Sequence, residues 1–250
     1  MARSLNTKNR ILKTENTPMF LDLNADLGEG AGFDEQLMPF ITSANVCCGE
    51  HAGGAEEIAA TLELALKYGV TVGAHPGYPD RENFGRVEFD LSDRAITELV
   101  QHQLKALDER GREKGIVMRY VKPHGALYNQ ACRDRRIADA IVAAVVDSQR
   151  PIVGLPSSQL EAACQNRLPF VAEGFADRRY RADGSLVPRS EADAFIHDPE
   201  ESVKQVEWLM REKGIRTICV HGDNPSAVAF AKAIRETLLA RGISLKPFIN

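Results

Sequence analysis

The strongest constraint on the fold is an alternation, along most of the chain, between short apolar runs and longer stretches with helical spacing. The apolar runs span residues 19–24, 41–46, 70–75, 118–122, 151–155, 170–175 and 217–221. The helical stretches span residues 55–68, 91–110, 133–147, 157–166, 200–213 and 225–241. A strand followed by a helix, repeated in this way, predicts a parallel sheet with helices packed outside it.

The order of residue types within the runs favours a closed barrel, because successive strand residues point to opposite faces. In the first run Leu21 and Leu23 share one face, whereas Asp22 and Asn24 share the other. The run at 217–221 separates aliphatic from small or polar residues in the same way. In a barrel the aliphatic face packs on the helices and the other face fills the interior. We therefore expect an α/β fold, a single seven-stranded TIM-like (βα) barrel.

Length and composition fit one domain that acts on small molecules. A chain of 250 residues has the length typical of one α/β barrel. We expect this domain to span 19–250, after a flexible polar leader at 1–18. The net charge is -4, with 31 Lys+Arg against 35 Asp+Glu, and this balance argues against a nucleic-acid surface. The longest apolar stretch, 140–146, is too short for a membrane helix.

The cysteines indicate a reducing environment. Their number is five, which is odd, and no C-x-x-C spacing occurs among them. Most fall inside apolar runs, as reduced core thiols do. We therefore expect the protein to work in the cytoplasm.

Four of the six histidines lie in short polar clusters that close apolar runs: His51, His75, His124 and His221. Each cluster contains Gly or Pro, which lets the backbone approach a ligand closely. A barrel gathers the carboxyl ends of its strands at one end, so polar residues far apart in sequence converge there. The clusters therefore predict one shared site.

Carboxylates and a carboxamide lie in and just after the end of the first run: Asp22, Asn24, Asp26 and Glu29. They are suited to general-base catalysis or metal binding, and equally to capping and loop hydrogen bonds. The common metal signatures H-x-H, H-x-x-x-H and H-E-x-x-H are absent from the sequence. We therefore assign no metal ligands and leave a divalent metal ion open.

Cations lie near the same ends of the strands. Lys122 precedes one histidine cluster, and Arg86 and Arg178 lie in non-helical stretches at 75–88 and 177–199. Such stretches exceed the usual length of a connection, so we expect functional loops. Together the cations are suited to hold a carboxylate or a phosphate. The motif G-x-x-x-x-G-K-[ST] is absent, so the chain has no P-loop of its own.

Six ordered blocks, which lie within residues 19–248, resemble the LamB/YcsF family. They are LDLNADLGE at 21–29, TSANVCCGEHAG at 42–53, VGAHP at 72–76 with FGR at 84–86, VKPHGALYN at 121–129, FADR at 175–178 with Tyr180, and CVHGD at 219–223. The resemblance implies a seven-stranded barrel related to the glycoside hydrolase/deacetylase barrels. It also implies the ATP-dependent opening of 5-oxo-L-proline to L-glutamate, performed together with two partner subunits.

The resemblance implies the residues of the site as well. The catalytic set is Asp26, His51, His75, Lys122, His124 and His221. The substrate-binding set is Asp22, Asn24, Asn45, Arg86, Asp177, Arg178 and Asp223. Within the first set, Asp26 or a histidine is expected to act as base and His124 or His221 as acid. Lys122 and Arg178 are expected to face the developing oxyanion.

Three departures from the family pattern leave alternatives open. Glu50 stands where the family usually has an aromatic residue, and Ala25 replaces a usual cysteine. The segment between Lys213 and Thr217 is also shorter than in the family. One alternative is a self-sufficient metal-dependent deacetylase or cyclic-amide hydrolase. Another is a non-catalytic subunit that binds a ligand or serves as a scaffold, and a homo-oligomer is left open.

Overall fold

The computed structural model describes residues 20–182, 184–220 and 227–249. Seven strands lie within these ranges: β1 (Phe20–Leu27), β2 (Ser43–Cys47), β3 (Thr71–His75), β4 (Ile152–Gly154), β5 (Phe170–Phe175), β6 (Thr217–Val220) and β7 (Ser244–Leu245). Six of them form a parallel sheet in the order β3-β2-β1-β6-β5-β4, and β7 pairs with β1. The predicted leader and Met19 lie outside the described residues.

The predicted run at 118–122 forms no regular strand. Val121 makes a single parallel bridge to Ala74 of β3 and another to Ile152 of β4. Pro123 follows this segment directly and has no N–H with which to continue a ladder. The segment therefore lies between the two outer strands of the sheet, with one bridge on each side. The seventh assigned strand is β7, at 244–245, which the sequence pattern does not predict.

Eight α-helices occur within the described ranges: α1 (Asp34–Leu37), α2 (Ala55–Tyr68), α3 (Asp93–Glu113), α4 (Gly125–Arg133), α5 (Arg135–Val145), α6 (Gln159–Cys164), α7 (Pro199–Trp208) and α8 (Ala227–Ala240). The predicted helix at 55–68 is confirmed with the same bounds. Ser92 caps α3, since its side chain accepts a hydrogen bond from Ala95 N. Helix α4, which the residue pattern does not predict, has no side-chain cap and begins at a glycine.

The alternation of residue types in β1 corresponds to two differently filled faces. Leu21 and Leu23 are fully buried in the hydrophobic core. Asp22 and Asn24, on the other face, are also buried, where Asp22 bonds to Ser43 of β2 and Asn24 to Thr217 of β6. Parallel strands are typically buried on both faces in this way. No helix among the described residues is both long and apolar enough to cross a membrane.

Both predicted long loops are present. The stretch after His75 contains neither helix nor strand until α3, and the stretch from 177 to 198 contains two antiparallel bridges but no helix among its described residues. The bridges join Arg178 to Phe195 and Tyr180 to Leu186. Each loop is therefore largely irregular chain, and parts of both line the cavity described below.

Candidate active site

A cavity of about 690 Å³ lies at the carboxyl ends of the strands. Its wall includes residues near the ends of β1, β3 and β5, together with parts of both long loops. Six of the predicted site residues line it: Asp26, His75, Arg86, Lys122, His124 and Arg178. The volume lies in the range typical of small-molecule sites.

The remaining predicted residues lie elsewhere. Asn45 and His51 are fully buried behind the cavity wall, and Asp22 and Asn24 lie deeper along β1. Asp177 lies next to Arg178 at the start of the second long loop but does not line the cavity. The last two predicted residues, His221 and Asp223, lie outside the described residues.

Asp22 belongs to a buried hydroxyl cluster beneath the cavity. Its carboxylate accepts hydrogen bonds from Thr42 and Ser43, both at 2.6 Å, and from Thr217. Burial raises the pKa of Asp22 from its usual 3.8 to about 6, and these hydroxyl groups offset only part of that effect. This position favours a structural contribution, because the side chain is completely enclosed.

Lys122 is the centre of the charge network at the cavity floor. The side chain is only 2% exposed, and its Nζ lies 3.0 Å from Asp26 Oδ1 and 2.8 Å from Glu173 Oε1. Burial lowers the pKa of Lys122, but the charges of the Asp26 and Glu173 carboxylates outweigh burial, so this pKa is raised well above its usual value. Lys122 is therefore a fixed cation near pH 7 and has no basic lone pair.

Asp26 connects this cation to the histidines. Asn45 Nδ2 donates to Asp26 Oδ1 over 2.8 Å, which holds the same oxygen that contacts Lys122. The other oxygen, Oδ2, lies 3.4 Å from His75 Nε2. Tyr120 in turn donates to Asn45 Oδ1, so the orienting amide is itself fixed. The carboxylate is thereby held in one orientation at the edge of the cavity.

Three histidines and a glutamate form a compact group beside Asp26. We call Glu29, His51, His75 and His124 the histidine cluster; one possible ligand atom from each lies within 4.8 Å of all the others. The His51 and His124 rings stack with centroids 3.8 Å apart, and His75 meets His124 edge-on. Every histidine of the cluster is at least 95% buried. These atoms are the ones that could hold a metal ion.

The three rings differ in their affinity for protons. Burial lowers the pKa of His51 to about 3, and the neighbouring His75 acts in the same direction. Burial, together with His75 and His51, also lowers the pKa of His124 well below its usual value. Burial lowers the pKa of His75 too. The nearby Asp26 carboxylate has a larger effect in the opposite direction, so the pKa of His75 is raised. Near pH 7, His51 and His124 are therefore neutral, and His75 is protonated most readily.

Close backbone packing holds the rings in place. Gly85 has φ +64, and a Cβ at this position would lie 2.7 Å from His51 Cβ and 2.9 Å from His124 Cδ2. Gly53, with φ +61, packs against the carbonyl of Gly28 in the turn that leads to Glu29. Only glycine combines this backbone conformation with such close approach.

The loop arginines border the cavity on its outer side. Arg86 stacks on Phe84, and Arg178 stacks on Phe195 while donating to Val187 O. Burial lowers the pKa of Arg178 to about 10, with nearby Arg189 adding to the effect. The Arg178 guanidinium therefore remains charged near pH 7. Both arginines are suited to bind a carboxylate or a phosphate through paired hydrogen bonds.

Two acidic residues of the site received no role from sequence reasoning. Glu29 was seen only as part of a carboxylate group at a strand end. Glu173 was missed altogether, although it is a lone charge inside the apolar run of β5. Its position two residues before Phe175 places both on the same face of the strand, which is the face that lines the cavity. A check of strand alternation across that run would have found it.

The family model and the curated relatives that match this chain point to the same protein family. The model of the LamB/YcsF family matches residues 21–250. A 5-oxoprolinase subunit from Neisseria meningitidis serogroup C is 46% identical over 240 residues, which cover 90% of this chain and 98% of that protein. The counterpart from serogroup B of the same species gives the same values.

Solved structures agree in fold. The lactam utilization protein from Thermus thermophilus superposes with a TM-score of 0.84 at 39% identity, covering 92% of this chain and all of that one. A mutant CE4 family pseudoenzyme with restored enzymatic activity has a TM-score of 0.51 at 11% identity, covering 93% and 66% of the two chains; it shares the fold alone. On the extent of these matches, the chain belongs to the LamB/YcsF family.

Proposed function

We propose that this chain is a subunit of an ATP-dependent 5-oxoprolinase, which opens the lactam of 5-oxo-L-proline to give L-glutamate. The names of its relatives, a 5-oxoprolinase subunit and a lactam utilization protein, support the substrate class. The observation that carries the proposal is the Asp26 carboxylate at the cavity edge, held between Lys122 and His75. This arrangement supplies a fixed base beside a fixed cation.

Ring opening requires a base for water and a proton for the departing ring nitrogen. In the proposed reaction, two partner subunits transfer a phosphoryl group from ATP to the lactam oxygen. Asp26 accepts a proton from water as the water oxygen bonds to the activated carbon. The C–N bond then breaks as the added hydroxyl releases its proton to solvent and becomes the carbonyl of an acyl phosphate, and the ring nitrogen takes the proton held by Asp26. A second water releases the phosphate, leaving glutamate, ADP and phosphate.

The neighbouring residues have separate tasks in this scheme. Lys122 keeps Asp26 ionised and oriented, since its Nζ contacts both Asp26 and Glu173. His124 is neutral near pH 7 because its pKa is lowered, so we assign the return of the proton to Asp26. Arg86 and Arg178 face the same cavity and would bind the substrate carboxylate or the transferred phosphoryl group.

We further propose that the sheet closes into a seven-membered barrel, with segment 118–122 between β3 and β4. Backbone hydrogen bonds on both sides support closure. On one side Lys122 N donates to Ala74 O, and on the other Val121 N donates to Pro151 O, each over 2.9 Å. Closure would bring Lys122 to the same end as Asp26, as the network at the cavity floor requires.

We propose the cytoplasm as the place of action and leave a homo-oligomer open. All five cysteines are free thiols, and three of them are buried. Reduced thiols fit a reducing compartment. The word "subunit" in the relatives' name supports partner chains.

The test is an assay of glutamate formation from 5-oxo-L-proline and ATP with the two partner subunits, with and without this chain. We expect glutamate only when all three are present. Equal glutamate formation by the partners alone would refute the proposal. Activity of this chain alone, without ATP, would favour a self-sufficient cyclic-amide hydrolase.

A further inference from the structure

We propose that the histidine cluster, Glu29 with His51, His75 and His124, binds one divalent transition-metal ion, and that Zn²⁺ fits it best. The inference rests on the geometry of the described residues and does not depend on the identity of the substrate. No short metal motif reveals the site in the sequence, because its members come from separate strand ends.

The spacing of the facing atoms fits one small ion. Glu29 Oε1 lies 3.1 Å from His51 Nε2, 3.5 Å from His124 Nδ1 and 3.9 Å from His75 Nε2. Ligand atoms placed about 2.0–2.1 Å from a tetrahedral Zn²⁺ are roughly 3.3 Å apart. These three distances lie on both sides of this value, and all four ligand atoms lie within 4.8 Å of one another, so side-chain shifts of about 1.5 Å or less bring them to that spacing.

Hydrogen bonds to the backbone orient two of the rings for coordination. His75 Nδ1 lies 2.7 Å from Lys122 O, and His124 Nε2 lies 2.8 Å from Phe84 O. A carbonyl only accepts hydrogen bonds, so each of these outer nitrogens carries the hydrogen. In the neutral rings, His75 Nε2 and His124 Nδ1 therefore present lone pairs inward. Histidines that bind metals typically have such a partner on the other nitrogen.

A metal ion among the inward atoms would satisfy them together. His75 Nε2 and His124 Nδ1 are 2.9 Å apart, and in the neutral rings, whose outer nitrogens carry the hydrogens, two lone pairs face each other there. The Glu29 carboxylate adds negative charge at the same point. One proton can satisfy one of these contacts, whereas one metal ion satisfies all four ligand atoms at once. The tight packing of Gly85 on His51 and His124 prevents these rings from turning away.

The types of ligand atom in the histidine cluster determine which metal ion it prefers. Imidazole nitrogens suit zinc and other late transition metals, whereas Mg²⁺ and Ca²⁺ prefer oxygen ligands. Glu29, His75 and His124 also line the cavity, so the ion would lie at its wall, beside Asp26. An ion of this kind acts as a Lewis acid toward a carbonyl or phosphoryl oxygen.

The test measures metal binding by the full chain, without an activity assay. Protein stripped with a chelator is given Zn²⁺ or Mg²⁺, desalted, and analysed for metal content. We expect about one Zn²⁺ per chain and no retained Mg²⁺. Zn²⁺ should also raise the melting temperature of the stripped protein. With Co²⁺ as probe, the visible spectrum should report tetrahedral coordination.

Two variants locate the site. Glu29→Gln keeps size but removes charge, and His124→Ala removes one ligand; each should weaken Zn²⁺ binding at least about 10-fold. His102→Ala and His197→Ala, which alter histidines outside the cluster, are the matched controls and should bind like wild type. Circular dichroism confirms that each variant is folded. Failure of the wild-type chain to retain Zn²⁺, or equal binding by folded Glu29→Gln and wild type, would overturn the proposal.

Discussion

At the scale of single residues, the buried ion network around Lys122 has the largest energetic consequence. One buried cation contacts two carboxylates, Asp26 and Glu173, beside the floor of the cavity. Burying charges is costly unless each is paired and hydrogen-bonded. The network therefore persists only while all its members are present.

Replacing Lys122 by Met tests this dependence. The change leaves two buried carboxylates without their cation, so we expect a loss of about 3–5 kcal/mol in the free energy of unfolding. Urea unfolding measures it. Lys67→Met, which removes an exposed pair with Glu35, should change stability by less than about 0.5 kcal/mol. A similar small loss for Lys122→Met would contradict the account, whereas adding Glu173→Gln should restore part of the stability.

Asp22 gives a pH-dependent prediction. Its pKa is about 6 in the folded chain against a usual 3.8, so the folded chain holds a proton that the unfolded chain releases. Protonated Asp22 therefore contributes most to the free energy of unfolding below about pH 4. This contribution, on the order of 3 kcal/mol, is lost as the pH rises from about 4 to about 6.

The Asp22→Asn variant has no carboxyl group at this position, so its free energy of unfolding should not fall for this reason as the pH rises. Urea unfolding at pH 4 and at pH 7 should show a smaller decline for the variant than for wild type. Asp147→Asn, at an exposed position, is the control and should follow wild type. Parallel declines for wild type and Asp22→Asn would show that Asp22 does not hold the extra proton.

At the scale of elements, residue patterns predict where the longer strands and helices lie. They do not predict the conformation of short or irregular segments. The helix at 55–68 has apolar residues at helical spacing and Gly69 in the left-handed conformation at its end, so its bounds were predictable. Helix α4 lacks both a capping side chain and a polar first turn. The segment at 118–122 reads as a strand, yet Pro123 interrupts its pairing. In such cases tertiary contacts decide the structure.

Gly53 joins the turns that follow β1 and β2, and its substitution tests that contact. Gly53 and Gly69 have similar φ values, +61 and +66, but a Cβ at Gly53 would collide with the Gly28 carbonyl, whereas a Cβ at Gly69 meets nothing within 4 Å. Both alanine variants incur about 1–2 kcal/mol of backbone strain. Gly53→Ala should lose roughly 1–3 kcal/mol more in thermal or urea unfolding. Equal losses would mean that the two turns separate readily.

At the scale of the whole molecule, the convergence of strand ends makes the site. The histidine clusters were recognisable because Gly and Pro mark where each apolar run stops. Their mutual distances depend on the register of β1, β2 and β3, which pairs Asp26 with Asn45 and Cys47 with His75. Register follows from packing of the whole sheet, so the sequence showed which residues meet but not which atoms touch. Strand alternation in β5 marks Glu173 as facing the interior, but its contact with Lys122 depends on the same packing of the whole sheet.

The most direct test of the central claim is glutamate formation by the assembled enzyme that carries Asp26→Asn. The amide keeps the size of the carboxylate but accepts no proton. With ATP and both partner subunits present, we predict a fall in kcat of about 10²–10⁴-fold, with Asp147→Asn behaving like wild type. A kcat for folded Asp26→Asn within about threefold of wild type would contradict the assignment of Asp26 as the base of a lactam-opening site.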